Sequence, residues 1–292
     1  MVSIKEHAYA KVNLYLDVIS RRDDGFHDIK TVMHSISLFD EITVSVRESD
    51  RGCVRLTVDG ARLPVDSRNL AVRAAELFLS ATLINAEVNI RLNKRIPIAA
   101  GLAGGSSDAA AVLRALNKAF KRPLTEKRLL QLASELGSDV PYCLIGGTAL
   151  CFGRGEEMER LPEKLKLTLV VAIADEYVST PMAYATLDEM YSDFKVERTD
   201  LSNRYFNEIM ASIHSGILTD SKLYNIFEKP IFKTCFKAES IKKDMIEFGA
   251  THALMSGSGP SVFGIFKNRN DAERAVSYFD KNGIRAYFAE TV

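Results

Sequence analysis

Pro97-Ile98-Ala99-Ala100-Gly101-Leu102-Ala103-Gly104-Gly105-Ser106-Ser107-Asp108, followed at once by Ala109-Ala110-Ala111-Val112-Leu113-Arg114-Ala115-Leu116, decides how the rest of the chain is read. Three glycines and two serines stand directly before a strongly helical run. Glycine lets the backbone take positive φ and approach a ligand closely. A helix start offers unpaired N–H groups and the positive end of the helix dipole, which together suit a phosphate. Ala109, Val112, Leu113, Leu116 and Phe120 recur with a period near 3.6, so one side of this helix packs on a core. The stretch reads as a phosphate cradle. A glycine-rich turn with Ser106 as an ordinary N-cap is the other reading it permits. No Lys follows the last glycine and the glycine spacing is not that of a dinucleotide site, so neither of those two phosphate motifs applies.

The rest of the composition narrows the function. The 292 residues suffice for one large or two modest domains. Lys and Arg number 38, as do Asp and Glu, so no net field draws in nucleic acid or an anionic membrane. Four dispersed cysteines (Cys53, Cys143, Cys151, Cys235) form no CxxC pair and read as buried thiols of a reducing compartment. The first residues carry no apolar signal core and no window is apolar over a membrane's width, so the expectation is a cytoplasmic protein.

Residues 9–18 alternate cleanly. Ala10, Val12, Leu14, Leu16 and Val18 point one way, and Tyr9, Lys11, Asn13, Tyr15 and Asp17 the other. The polar face is that of a solvated edge strand or of a site. Arg21-Arg22-Asp23-Asp24-Gly25 is a turn, and Phe26 and His27 follow it. Loop aromatics often only pack locally, yet a flat ring beside an imidazole is also what a nucleobase needs for stacking and edge reading. Strands are expected at 29–38, 41–47 and 54–58, with polar breaks at Asp40 and at Ser49-Asp50-Arg51-Gly52. Asn69 opens a helix, and residues 88–92 are a strand that feeds the cradle. Strands first, then helix, strand, loop and helix, is an α+β order rather than a doubly wound parallel one.

Beyond the cradle, Thr125 starts a helix with Leu129, Leu132, Ala133 and Leu136 on its apolar face and Gly137 at its end. In Ser138-Asp139-Val140-Pro141 the acid stands where a helix cap belongs, and a cap is its local reading. A glycine-bounded strand covers 146–156. The polar stretch 160–166 divides the chain into 1–160 and 161–292. In the second part, strands at 167–174, 252–255, 261–266 and 285–289 alternate with helices at 183–190, 204–215, 237–248 and 271–282, which suggests a ferredoxin-like domain. Residues 193–201 are its most polar part.

Lys11 with Asn13, the 97–107 loop, and Ser256-Gly257-Ser258-Gly259-Pro260 occur in that order near the start, middle and end. With these three motifs the chain resembles the GHMP small-molecule kinases, among them galactokinase, homoserine kinase and mevalonate kinase. Asp24-Gly25-Phe26-His27, Asn93-Lys94-Arg95-Ile96-Pro97, Gly137-Ser138-Asp139-Val140-Pro141 and Gly153-Arg154-Gly155-Glu156 resemble the branch of that family whose substrate is a cytidine diphosphate-linked methylerythritol. Homoserine and mevalonate kinases are the alternative branches. The resemblance implies a two-domain GHMP fold, with a ribosomal-S5-domain-2-like N-terminal domain and a ferredoxin-like C-terminal one. It implies ATP and Mg²⁺, a small-molecule acceptor phosphorylated at a hydroxyl, no nucleic-acid or membrane partner, and a monomer or homodimer.

Carried over by position, the resemblance makes Lys11 and Asp139 the catalytic pair. The backbone of Gly101, Leu102, Ala103, Gly104, Gly105, Ser106 and Ser107 would wrap the ATP phosphates, Pro97 and Ala100 would be further ATP-binding residues, and Asn69 and Lys94 would flank the adenosine end. Phe26 and Tyr184 would sandwich the base, His27 would read its edge, and Asn13 and Thr180 would hold the erythritol part. The family more often has Tyr at the position of Phe26, and Gly at the position of Ala103. No Mg²⁺ ligand is named by the sequence. The residue types suit the chemistry, because phosphoryl transfer needs a hydroxyl aligned on the γ-phosphate and its developing charge neutralised. An Asp, with a reference pKa near 3.9, is a weak base that accepts the hydroxyl proton late in transfer.

Overall fold

The structure, a computed structural model, describes residues 1–162, 164–191, 199–218 and 222–292. In chain order its elements are β1 (Val2–Arg21), β2 (His27–Glu48), β3 (Cys53–Asp59), α1 (Leu70–Thr82), β4 (Ala86–Asn93), α2 (Gly104–Ala119), α3 (Glu126–Leu136), α4 (Val140–Ile145), β5 (Thr148–Phe152) and β6 (Glu157–Arg160). There follow β7 (Thr168–Ile173), α5 (Thr180–Met190), α6 (Thr199–Ser215), β8 (Tyr224–Asn225), α7 (Glu228–Ile231), α8 (Phe236–Glu247), β9 (His252–Met255), β10 (Ser261–Phe266), α9 (Arg269–Lys281) and β11 (Ala286–Glu290). Residues 193–198 of the polar stretch 193–201 lie outside the described residues. Among the described residues, no helix is long and apolar enough to cross a membrane.

The chain forms two compact units that interleave in sequence. One is Met1–Ala10, Phe39–Ile98 and Ala103–Gly146; the other is Lys11–Leu38, Ala99–Leu102 and Gly147–Val292. In the first, β4 pairs antiparallel with the second half of β2, from Glu41↔Asn93 to Glu48↔Ala86, and parallel with β3. This register puts Ile42, Val44 and Val46 on the buried side with Val88, Ile90 and Leu92. Asn69 caps α1, its side-chain oxygen accepting from the Ala71 N–H at 3.0 Å, and Thr125 caps α3 in the same way through Arg128. Helix α2 is buried from Ser107 to Leu113 and again from Ala115 to Asn117, well beyond a single apolar stripe. Its alanines make this possible, because small side chains let α1 and α4 approach from different sides.

Two expectations are corrected here. Asp40 does not break a strand: β2 runs through it, and the carboxylate is fully buried because a buried lysine pairs it. Ser106 is not a helix cap either, since α2 starts two residues earlier, with Ala103 in the left-handed conformation at its N-cap.

In the second unit the first half of β2 pairs with β5, which pairs in turn with β6. β8 pairs parallel with β1 at Tyr15↔Tyr224 and Leu16↔Asn225. A separate sheet has the order β11-β7-β10-β9 with every neighbour antiparallel. With helices between β7 and β9 and α9 between β10 and β11, that is the ferredoxin-like arrangement expected for this part of the chain. Val170 and Val262 of this sheet share one core with Ile241 and Met245 of α8 and Phe279 of α9. The solvated-edge reading of residues 9–18 is overturned in this unit. Lys11 and Asn13 are only 4% and 2% exposed, so both faces of β1 are buried there and its polar side chains must find partners inside.

Phe78 on α1 is fully buried and its ring stacks near Phe120 at 6.2 Å. Phe78→Ala is expected to lower unfolding free energy by about 3–5 kcal/mol through lost burial and a residual cavity, read from the urea midpoint at unchanged slope.

Candidate active site

Lys11 is the centre of one polar cluster, in the second unit. Its ammonium donates to Asn13 Oδ1 at 2.8 Å and to the Gly101 carbonyl at 2.9 Å. Two of its three protons are thereby used. Asn13 Oδ1 also accepts from the Gly257 N–H at 2.9 Å, and its amide donates to Thr31 Oγ1 at 2.8 Å. The Gly101 carbonyl accepts a second bond from Ser256 Oγ at 3.0 Å, and Ser261 Oγ donates to the Ala100 carbonyl. Three stretches separated by some 90 and 150 residues thus meet through hydrogen bonds. Asn225 braces the last of them, its amide reaching the carbonyls of Met255 and Gly257 at 2.7 and 2.8 Å. Thr180, the first residue of α5, hydrogen-bonds Ser258 through their hydroxyls at 2.8 Å.

Gly101 could not be another residue here. Its φ is +74°, and a Cβ would fall 2.1 Å from the Ser256 carbonyl oxygen. Ala103 holds φ +58° without being glycine, a strain of roughly 1–2 kcal/mol.

The helical part of the glycine-rich stretch expected to be a cradle lies in the first unit. Residues Gly104, Gly105, Ser106 and Ser107 form the first turn of α2, with the Ser107 N–H bonded to the Ala103 carbonyl at 2.9 Å. The first turn of a helix leaves its N–H groups for a ligand, as the phosphate reading requires. Lys94 lies close by, and a Cβ on Gly104 would meet its Nζ at 2.8 Å. The ammonium itself is committed inward, to Asp40 Oδ2 at 2.5 Å and Asp108 Oδ2 at 2.9 Å. Any part Lys94 has at the adenosine end therefore falls to its backbone and stem. Asn69, likewise, spends its side chain on capping α1 and on the Pro64 carbonyl, at 2.9 Å.

Asp108 is pushed up to about 7. Burial is the main cause, Lys94 opposes it, and the Asp40 carboxylate adds to it. The folded protein thus holds this proton more tightly than an unfolded chain does. The stability it contributes is present below about pH 4 and is lost as pH rises towards 7.

Of the residues expected at the base, Phe26 is 52% exposed and has the Arg154 guanidinium 4.9 Å from its ring centre. His27 is buried. Its Nε2 lies 2.7 Å from Asp188 Oδ1, and its ring stacks on Tyr184 at 4.6 Å. Tyr184 also meets Phe227 edge-on at 4.9 Å. Asp139 stands at the N-cap position of α4, but its side chain makes no capping hydrogen bond. Its local role as a cap is not realised. Sequence reasoning missed Asp40, Asp108, Asp188 and Thr31 as partners of site residues. Each is an unremarkable polar residue in its own segment, and only the fold supplies its partner.

Residues 69–147 match the model of the GHMP kinases N terminal domain, and residues 201–285 that of the GHMP kinases C terminal domain. The chain belongs to the GHMP kinases. ATP is accordingly its phosphoryl donor. This GHMP kinase is 40% identical over 271 residues to a 4-diphosphocytidyl-2-C-methyl-D-erythritol kinase of Caldicellulosiruptor saccharolyticus, covering 92% of this chain and 90% of that one. A crystal structure of 4-(cytidine 5'-diphospho)-2C-methyl-D-erythritol kinase superposes with a TM-score of 0.81 at 32% identity, over 99% of both chains. A homoserine kinase from Cytophaga hutchinsonii shares the fold, with a TM-score of 0.77 at 21% identity over 99% of this chain and 94% of that one.

Gly101→Ala is expected to cost roughly 2–4 kcal/mol of stability, the sum of backbone strain and overpacking against a carbonyl that cannot move freely. Gly105, by contrast, has only Leu70 Cδ1 near its missing Cβ, at 3.8 Å. Gly105→Ala is expected to be neutral or to stabilise by about 0.5–1 kcal/mol, as alanine does within a helix, and urea unfolding of the two variants checks the contrast.

Proposed function

We propose that this GHMP kinase transfers the γ-phosphoryl group of ATP to the 2-hydroxyl of 4-diphosphocytidyl-2-C-methyl-D-erythritol, in the non-mevalonate route to isoprenoid precursors. The observation that carries this reading is the near-full-length likeness to a kinase of that name. Homoserine and mevalonate kinases have the same fold, so the fold alone does not choose among acceptors.

In this reading Asp139 accepts the proton of the acceptor hydroxyl, and the absence of a capping bond leaves its carboxylate uncommitted at the helix start. Lys11, held by Asn13 and the Gly101 carbonyl, stabilises the developing alkoxide with its remaining proton. Residues 101–107 hold the phosphates, through backbone N–H groups in the first turn of α2. Pro97 and Ala100 shape the approach to that loop. Mg²⁺ would be held through the ATP phosphates at residues 101–107 and would supply neutralisation of their charge, since this ion usually binds with substrate phosphates. Phe26 and Tyr184 flank the cytosine, with His27 at its edge, and Asn13 and Thr180 hold the erythritol part. Asn69 and Lys94 stand at the adenosine end. Phe26 lacks the phenol of the more usual Tyr and offers stacking alone. By segment, 1–160 serves ATP binding and catalysis, and 161–292 the substrate side.

Turnover with ATP and Mg²⁺ is expected for the cytidine diphosphate compound. Turnover of homoserine or mevalonate instead would overturn the assignment of substrate. Asp139→Ala is expected to lower kcat at least ~100-fold with little change in KM, as loss of a positioned base does, and steady-state kinetics at saturating ATP measure it.

A further inference from the structure

Beneath the first turn of α2 lies a cluster of charged groups whose charges the proposed mechanism does not use. Lys94, Asp40 and Asp108 are all buried, and one ammonium serves both carboxylates. Asp40 is fully engaged, because its Oδ1 also accepts the N–H groups of Arg95 and Ile96 at 2.5 and 2.8 Å. Asp108 Oδ1, in contrast, is buried with no hydrogen-bond partner. With every group ionised, the cluster carries one net negative charge out of water, an arrangement of high cost. One proton removes that charge, and Asp108 is the member with an oxygen left to carry it.

We infer that Asp108 is a positioning residue of the phosphate loop, and that its carboxyl takes up a proton when ATP binds. The inference rests on reading residues 101–107 as the ATP phosphate cradle. Asp108 continues the same helical turn as Gly104 to Ser107, and Lys94 Nζ sits against Gly104. A polyphosphate at that turn adds several negative charges close to the cluster. Repulsion between these and an ionised Asp108, weakly screened in the interior, favours the neutral acid. The proton comes from solvent and forms one O–H bond on Asp108, and no other bond changes. Lys94 then stays paired with Asp40, so the segment leading into the loop remains fixed while the charge below the phosphates falls to zero.

Without nucleotide the group already titrates near neutral pH, because burial outweighs the attraction of Lys94. Lys94 and Asp40 are the charged groups that face it. Among the helices packed on α2, α4 carries no charged residue. Arg73 and Glu76 of α1, and Glu126, Lys127, Arg128 and Glu135 of α3, are exposed.

Calorimetric titration of the full chain with ATP and Mg²⁺, in buffers of different ionisation enthalpy at about pH 7.5, tests this, since the Mg²⁺ complex of ATP is fully ionised there. The native protein is expected to take up a fraction of a proton, and its Kd for ATP to rise about 3–10-fold between roughly pH 6.5 and 8.5. Asp108→Asn is expected to bind ATP without that uptake and with a flat pH profile. Equal uptake and an equal slope in both proteins would overturn the inference while leaving the cradle reading intact. Should Asp108→Asn fail to fold, infrared difference spectra of the native chain decide. A carbonyl stretch of a protonated acid gained on adding ATP and Mg²⁺ supports the inference, and its absence overturns it. A native chain that binds no ATP overturns the cradle reading and this inference with it.

Discussion

The carbonyl oxygen of Gly101 is the point on which the arrangement depends. It accepts from the Lys11 ammonium and from the Ser256 hydroxyl, and the space beside its α-carbon is filled by the Ser256 carbonyl. Any side chain at this position would push the 256–260 loop away, and Lys11 would lose one of its two acceptors. A buried ammonium without acceptors is among the most expensive groups a protein can hold. The glycine therefore fixes two things together: the close approach of two backbones and the aim of a buried cation. Asn13 completes the arrangement by bonding both Lys11 and Gly257 through one oxygen.

The same economy governs the charges around the start of α2. Lys94 is held by two acids, and the acids are held very differently. Asp40 accepts two backbone N–H groups besides the ammonium, which ties the segment before the cradle to β2. Asp108 has the ammonium alone, so its charge state is the soft variable of the cluster. Net stability is a small difference between large opposing sums, and one ionisation of a buried acid is large on that scale. Under the proposed ATP-binding role of residues 101–107, a group of this kind, one residue beyond that stretch, links what the stretch binds to the proton balance beneath it. In the other unit, His27 meets Asp188 and stacks on Tyr184, so the ring expected at the base is already oriented by an acid that lies on the same helix as its stacking partner.

Much of this was legible in the sequence. The caps at Asn69 and Thr125, the glycine-rich start of α2 and the ferredoxin-like order of the last strands follow from local rules of spacing and capping, and they hold in the structure. The residues that bore the wrong local meaning are polar. Asp40 looked like a strand break and the polar face of residues 9–18 looked solvated, and both readings assumed water as the partner where Asp40, Lys11 and Asn13 are buried. Ser106 looked like a cap, but α2 begins before it. The fold supplies a lysine for Asp40, and Gly101, Gly257 and Thr31 for the Lys11 and Asn13 side chains.

By itself the sequence determined most of the helices and strands, that a glycine-rich segment opens α2, and that the chain is a GHMP kinase. Periodicity, capping and glycine placement act over a few residues, and their consequences can be read where they are written. Only the tertiary structure decided which polar side chains are buried and with whom. Burial and pairing depend on residues up to about 240 positions apart, as Asn13 and Gly257 are, and no local pattern encodes such a distance. The fate of a charge is set by the dielectric and the partners around it, and those exist only once the chain has closed upon itself.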